Sequence, residues 1–285
     1  MTNHESTYLE GTLPKMTTST HDLPIPKALL LDFGGVLVTS RRPDNWQRIV
    51  AETIVTLLDG HPQTPTVERI TADVAAGALA AKSWRNAMSR PFAPAELSHE
   101  SYVLDFIAAD WPDAVRRALQ PHSAAICYAV NDAAEHRTLR DGSVELLRWA
   151  AQRQLPVVVV SNALSGAVHR DFLAAAKLTE FLTAELYSDE LGIRKPNPQL
   201  LIQGAQAAGV PVSECWYVGD HLDRDVLCGT RAGVGVNVLM DDPAKSERPF
   251  SVPVTEDLAV ADPAELLTIL QSLWSDRPSL TSVEV

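Results

Sequence analysis

The most regular feature of the chain is a set of short, uninterrupted apolar runs, each closing on a polar residue or a turn. Lys27-Ala-Leu-Leu-Leu-Asp32 stops at a carboxylate followed by Gly34-Gly35, and similar runs occupy Pro156 to Val160, Ala184 to Tyr187, Trp216 to Val218 and Gly235 to Leu239. Continuous rather than alternating apolar character is expected of strands covered on both faces, so these runs predict a parallel sheet. Helical patterns fill the gaps between the later runs. Val168, Phe172 and Ala175 share one helical face, and Asn197-Pro198 supplies an N-cap with proline at the first helical position of a helix ending at Gly209. A further helix is predicted from Asp223 to Gly233. Helix and strand therefore alternate from Asp141 onward, as in a doubly wound α/β domain.

A long interval between the first and second runs lacks strand patterns and carries amphipathic segments instead. Trp46, Val50, Ile54 and Leu57 fall on one face, and comparable segments span Val67 to Leu79 and Tyr102 to Trp111. Breaks at His61 to Pro65 and Arg90 to Pro94 divide the interval, and no fixed-period repeat is visible. The expectation is an all-helical insertion lying as a cap over the sheet edge. The resulting division is a leader at 1–24, a core at 25–41 and 137–275, a helical cap at 42–136 and a flexible tail at 276–285.

Composition narrows the class of protein. Apolar residues make up 46% and charged residues 21% of 285, which suits a folded globular chain and excludes wholesale disorder. Lys and Arg number 24 against 36 Asp and Glu, for a net charge of −12, which disfavours nucleic acid as a partner. The leader, in which Met16 is an alternative start, lacks an apolar run of signal-peptide length, and no membrane span is predicted. Cys127, Cys215 and Cys228 are odd in number and widely spaced, which fits buried thiols in a reducing compartment, the cytoplasm by default.

In an open parallel sheet, ligands bind outside the carboxyl ends of the strands, so the residues following each run matter most. Those residues are Asp32-Phe-Gly-Gly after the first run, Ser161-Asn162 after the second and Gly219-Asp220-His-Leu-Asp223-Arg-Asp225 after the fourth. Arg194-Lys195-Pro196-Asn197-Pro198 follows the third at a short distance. Together they supply an anionic nucleophile, a hydroxyl, an ammonium and a group of carboxylates. Each alone has a plain structural reading: Asp32 as a turn residue, Ser161-Asn162 as a helix cap, Lys195 as a surface charge, Asp223 as an N-cap. Sequences for P-loops, dinucleotide loops, zinc proteases and serine hydrolases are absent.

LLLDFGGVL, VVVVSNA, GIRKPNP and YVGDHLDRD, in that order, resemble the motifs of the haloacid dehalogenase superfamily, most of whose members are phosphatases. The resemblance covers residues 27 to 41 and 137 to 240. It implies a Rossmann-like core with a helical cap, Mg²⁺ as cofactor, and a small phosphorylated metabolite as substrate. It also implies Asp32, Ser161 and Lys195 as catalytic residues, and phosphate held by Phe33, Gly34, Ser161, Asn162 and Lys195. The metal would be held by Asp32, the Gly34 carbonyl, Asp220 and Asp225. A carboxylate suits the nucleophile because it is ionised at neutral pH and splits hydrolysis into formation and breakdown of an aspartyl-phosphate. Its approach to a phosphate dianion is opposed by about 4 kcal/mol per unit-charge pair at an effective dielectric of 20, which Mg²⁺ and Lys195 would offset.

One position departs from the pattern. Most phosphatases of the superfamily carry a second aspartate two residues after the nucleophile, as general acid and base, and here that residue is Gly34. Such help is worth about 10² to 10⁴ in rate. Three outcomes follow: a phosphatase using another acid or a good leaving group, an enzyme cleaving a carbon–phosphorus or carbon–halogen bond, or a non-catalytic binding protein. Lys82 is a candidate Schiff-base lysine for phosphonate chemistry, and His221 or His99-Glu100 are candidate replacement acids. Trp46, Trp84 and Trp111 are read as either pocket lining or core.

Overall fold

The computed structural model describes residues 22–240 and 251–275. Calls on residues 1–21, including Met16, and on the tail at 276–285 lie outside the described residues. The core is a six-stranded parallel sheet in the order β5-β4-β1-β6-β7-β8, formed by β1 (Ala28–Leu31), β4 (Val157–Ser161), β5 (Ala184–Tyr187), β6 (Cys215–Gly219), β7 (Val236–Met240) and β8 (Leu258–Val260). The α/β Rossmann-like expectation is met. Successive side chains of a strand point to opposite faces, and both faces are packed. Leu29, Leu31, Val157, Val159, Trp216 and Val218 join one hydrophobic cluster with helices Ser143–Gln152 and Pro263–Ser275. Ala28, Leu30, Val158, Val160, Cys215 and Tyr217 join another with helices Gln199–Ala208 and Leu227–Ala232. The unbroken apolar runs follow from this, since each fully buried Leu or Val contributes about 1.5–3 kcal/mol on either face.

From β1 the chain goes to β4 and β5 on one side, then crosses to β6, β7 and β8 on the other. The crevice of an open sheet forms where the winding reverses, which here lies beside the carboxyl end of β1.

β8 and an antiparallel ribbon of β2 (Val38–Arg41) and β3 (His136–Leu139) were not predicted. β2 reads Val-Thr-Ser-Arg with three exposed residues, so no buried face marks it in sequence. The ribbon carries the chain into and out of the helical insertion. The insertion has its own hydrophobic cluster, with Trp46, Val50 and Ile54 from helix Trp46–Leu57 and Ile70, Val74 and Ala81 from helix Val67–Met88. Tyr102–Ile107 winds as a π-helical turn, and Tyr102, Val103 and Ile107 are buried. The insertion also touches the core through Pro94 to Leu97: Ala95 bridges Ile193, and the Glu96 amide donates to the Gly192 carbonyl at 3.0 Å.

Five local expectations are corrected. Ala175 is exposed, and helix Gly166–Ala175 buries Val168, His169 and Leu173 instead. Leu79 is 67% exposed at the rim of a cleft. The helix after Asn197-Pro198 starts at Gln199, although the Asn197 side chain still accepts the Gln199 amide at 3.1 Å. Asp223 lies inside a π-helical turn, Leu222–Val226, whose N-cap position falls to His221. The end of the segment read as a leader is tied to the core: Leu23 is buried in it, and the carbonyl of exposed Pro24 accepts from Trp216 Nε1 at 2.9 Å.

Candidate active site

Strand register places the polar groups together. Leu31 of β1 is level with Val159 of β4 and Val218 of β6, so Asp32 and Asp220 emerge just past their strand ends near Ser161, the last residue of β4. All three are buried. Lys195 arrives from the segment after β5, and Asn162 fixes it there: its Oδ1 accepts the Lys195 amide at 2.8 Å, and its Nδ2 donates to the Lys195 carbonyl at 3.1 Å. The Asn162 side chain is thus given to the lysine backbone.

The Lys195 ammonium uses all three of its donors. Nζ lies 2.8 Å from Asp32 Oδ2 and 2.7 Å from Asp225 Oδ1, and donates to the Tyr217 hydroxyl at 2.8 Å. Tyr217 in turn donates to Asp225 Oδ1 at 2.6 Å. The other Asp225 oxygen accepts the amides of Asp220 at 3.2 Å and His221 at 2.9 Å, which anchors the turn carrying Asp220. Gly219 makes this approach feasible, because a Cβ there would stand 2.2 Å from the Asp225 Cβ. Asp32 Oδ1 accepts the Phe33 amide at 2.7 Å, and the Phe33 ring stacks on His169 at 4.1 Å, so its side chain belongs to the core.

The electrostatics follow from burial. Desolvation disfavours the Lys195 ammonium, but Asp225 and Asp32 outweigh it and raise the pKa above the ordinary lysine value. Burial pushes Asp225 up, yet Lys195, helped by His221, holds it well below the usual carboxylate range. Asp32 is raised, by burial first and by its neighbours Asp225 and Asp220, with Lys195 opposing. Lys195 pairs with two of the carboxylates, and Asp32, Asp220 and Asp225 each offer an oxygen within 4.8 Å of the others. Buried negative charge in excess is costly, and an all-oxygen donor set is what a hard divalent cation takes. The donor set fits such an ion.

The remaining candidates have other settings. His99 Nε2 lies 2.8 Å from the Leu164 carbonyl and 3.2 Å from Asp189 Oδ2, joining insertion to core, and Glu100 accepts from Gln120. Asp189 raises the His99 pKa by its hydrogen bond, against the effect of burial. His221 Nε2 pairs with Arg224 Nη2 at 2.9 Å and lies 3.7 Å from Asp220. Lys82 is exposed and lines the cleft under the insertion, as does Trp46. Trp84 lies beneath the Arg194 guanidinium, and Trp111 is buried with Nε1 donating to Asp73 at 2.8 Å. Gly34 bridges Val38 through its backbone, and a Cβ built on it meets nothing within 4 Å.

Sequence reading missed Tyr217, which touches both Lys195 and Asp225. The available signal was a single hydroxyl-bearing side chain in an apolar run just before Gly219-Asp220.

A glyceraldehyde 3-phosphate phosphatase of Methanopyrus kandleri is 32% identical over 96 residues, which are 34% of this chain and 41% of the relative. A phosphoserine phosphatase of Thermus thermophilus is 33% identical over 120 residues, 42% of this chain and 46% of the relative. The matched stretches thus span less than half the length of these curated relatives. The fold resembles that of CbbY from Rhodobacter sphaeroides in complex with phosphate, with a TM-score of 0.54 at 16% identity, covering 86% of this chain and 99% of that one. The family model for haloacid dehalogenase-like hydrolases matches residues 26–233, most of the chain, including β1, β4, β5 and β6. The chain therefore belongs to the haloacid dehalogenase-like hydrolases.

Proposed function

We propose that the protein is a Mg²⁺-dependent phosphatase of a small phosphorylated metabolite, working through an aspartyl-phosphate on Asp32. The observation that carries this reading is the Asp32–Lys195–Asp225 ion-pair chain beside Asp220, at the carboxyl end of β1 where the winding reverses. Both curated relatives described above are named as phosphatases, which supports the same reading.

In this scheme Asp32 attacks phosphorus in line, the ester oxygen leaves, and water then cleaves the acyl-phosphate to restore the carboxylate and release phosphate. Lys195 offsets phosphate charge and orients Asp32, while Asp225 and Tyr217 hold the ammonium in place. Ser161, buried at the end of β4, donates to a phosphoryl oxygen, and the Phe33 and Gly34 backbone closes the other side of the phosphate. Asn162 acts through its hold on Lys195. Asp32, Asp220 and the Gly34 carbonyl would hold Mg²⁺, together with Asp225, whose Oδ2 also anchors the turn that carries Asp220. When bound, the ion neutralises charge on the transferring phosphoryl group. The helical insertion, 42–136, serves as the cap that governs access, and the buried free thiols fit a cytoplasmic setting.

Gly34 leaves the departing oxygen without a side-chain acid, so good leaving groups are favoured. The same glycine favours a second reading, a non-catalytic phosphate-binding member. Inorganic phosphate release from sugar phosphates, nucleotides, acyl phosphates and phosphonates, with Mg²⁺ or EDTA, separates the two. Turnover that needs Mg²⁺ and disappears in Asp32→Asn is expected; no turnover on any substrate, and none restored by Gly34→Asp, overturns the phosphatase reading.

A further inference from the structure

The chain as a whole carries a net charge of −12, yet the cleft between the inserted helices and the core is cationic. This cavity, of about 470 Å³, is lined by Arg42, Lys82, Arg85, Arg194 and Arg224 against the carboxylates Glu96 and Glu135. Its size is that of a site for a compact metabolite. Arg194 is only 1% exposed. Its Nη1 donates to Glu96 at 2.6 Å, but its Nε and Nη2 have no hydrogen-bond partner among the described residues, and neither has Nε of Arg224. Glu96 is shared, because its other oxygen accepts from Ser188 Oγ at 2.6 Å. Burial pulls Arg85 and Arg194 below the ordinary arginine value, Glu96 opposes this, and the nearby guanidinium groups, Arg224 among them, add to it.

A buried guanidinium with two open donors, beside the half-buried Arg85 and Arg224 that repel it, forms a receptor waiting for an anion. Its position gives it a partner site. Arg194 precedes Lys195, Arg224 precedes Asp225, and Asn162, which follows Ser161, lines the same cavity. The cluster thus begins next to the reacting phosphate's place and extends beneath helix Val67–Met88.

We infer that this cleft is a second anion subsite, and that the substrate is a phosphate monoester bearing a second anionic group, a carboxylate or another phosphate, held by Arg85, Arg194 and Arg224. The inference rests on the phosphatase reading and narrows it to a substrate class. Glycerol 3-phosphate, 3-phosphoglycerate and 1,3-propanediol bisphosphate share a primary phosphate ester and differ in a neutral, carboxylate or phosphate tail. The expected result is kcat/KM at least tenfold higher for an anionic tail, equivalent to about 1.4 kcal/mol. Arg85→Gln should cut that ratio at least tenfold, chiefly through KM, and whichever tail is preferred identifies the second group. Equal rates for all three, or an unchanged ratio in both Arg85→Gln and Arg224→Gln, overturns the subsite and leaves the phosphatase reading standing. If none of these alkyl esters is hydrolysed, the phosphatase reading is decided by the wider panel that includes better leaving groups, and calorimetric binding decides the subsite separately. Tighter binding of 3-phosphoglycerate than of glycerol 3-phosphate, weakened in Arg85→Gln, supports it; equal binding of the two refutes it.

Discussion

Gly34→Asp tests how much the missing side chain matters. A Cβ at Gly34 meets no heavy atom within 4 Å, and the backbone there is outside the left-handed region, unlike Gly35 with φ 77°. The substitution should therefore meet no steric or backbone obstacle, and its folding cost, about 1–3 kcal/mol, should come from placing a carboxyl group among buried carboxylates. Gly35→Asp is the control, and its left-handed backbone should cost about 1–2 kcal/mol. The new carboxyl group would stand two residues from Asp32, in a site already crowded with Asp220 and Asp225. Like charges there favour its protonated form, which a general acid needs. General acid catalysis adds about 10² to 10⁴ in rate, or about 2.7–5.4 kcal/mol off the barrier. The gain should be largest for alkyl phosphates, whose leaving oxygen needs the proton, and small for p-nitrophenyl phosphate, whose leaving group departs as a stable anion. The assay is kcat for both esters in wild type and variant, with urea midpoints measured alongside. A variant that folds as the wild type does, yet changes both rates equally or neither, refutes the assignment of Gly34 as the vacant acid position.

Other outcomes are expected from the same geometry. Gly219→Ala drives a methyl group into Asp225, so it should destabilise the fold by about 1–3 kcal/mol and abolish phosphate release, read by urea titration and phosphate assay. Mg²⁺ at about 100 times its Kd should stabilise the fold by about 2.7 kcal/mol, seen as a raised Tm that Asp220→Asn largely removes; an equal rise in the variant argues against the Asp220 ligand. His99 is held above its ordinary value of 6.5 by Asp189, so its contribution is complete below pH 6.5 and fades as pH rises through the folded value. Asp189 is held below 3.8, so its share is lost only as the medium becomes strongly acidic. The stability difference between wild type and His99→Gln should thus be larger at pH 6 than at pH 9, and a pH-independent difference would remove the pair from the insertion–core contact.

Much of the core was legible because a parallel sheet leaves a direct record. Leu29 and Leu31 pack one face and Ala28 and Leu30 the other, so no polar residue interrupts the run until Asp32, where the strand ends. Asp32, Ser161 and Asp220 were found by that rule alone. β2 and β3 left no such record, since an exposed ribbon imposes little pattern on its residues. Ala175 was misread because helical spacing alone cannot say which side of a helix meets the sheet.

The sequence by itself determined the strand ends, the acidic turn and the family, because each is written in local order and type. Only the tertiary structure decided that Tyr217 joins Lys195 to Asp225, and that Asn162 holds the lysine backbone rather than facing outward. It alone also gathered Arg85, Arg194 and Arg224, which lie far apart along the chain, into one cationic cleft. The reason is physical: strand periodicity is a property of neighbours in sequence, whereas the balance of buried charge is a property of neighbours in space.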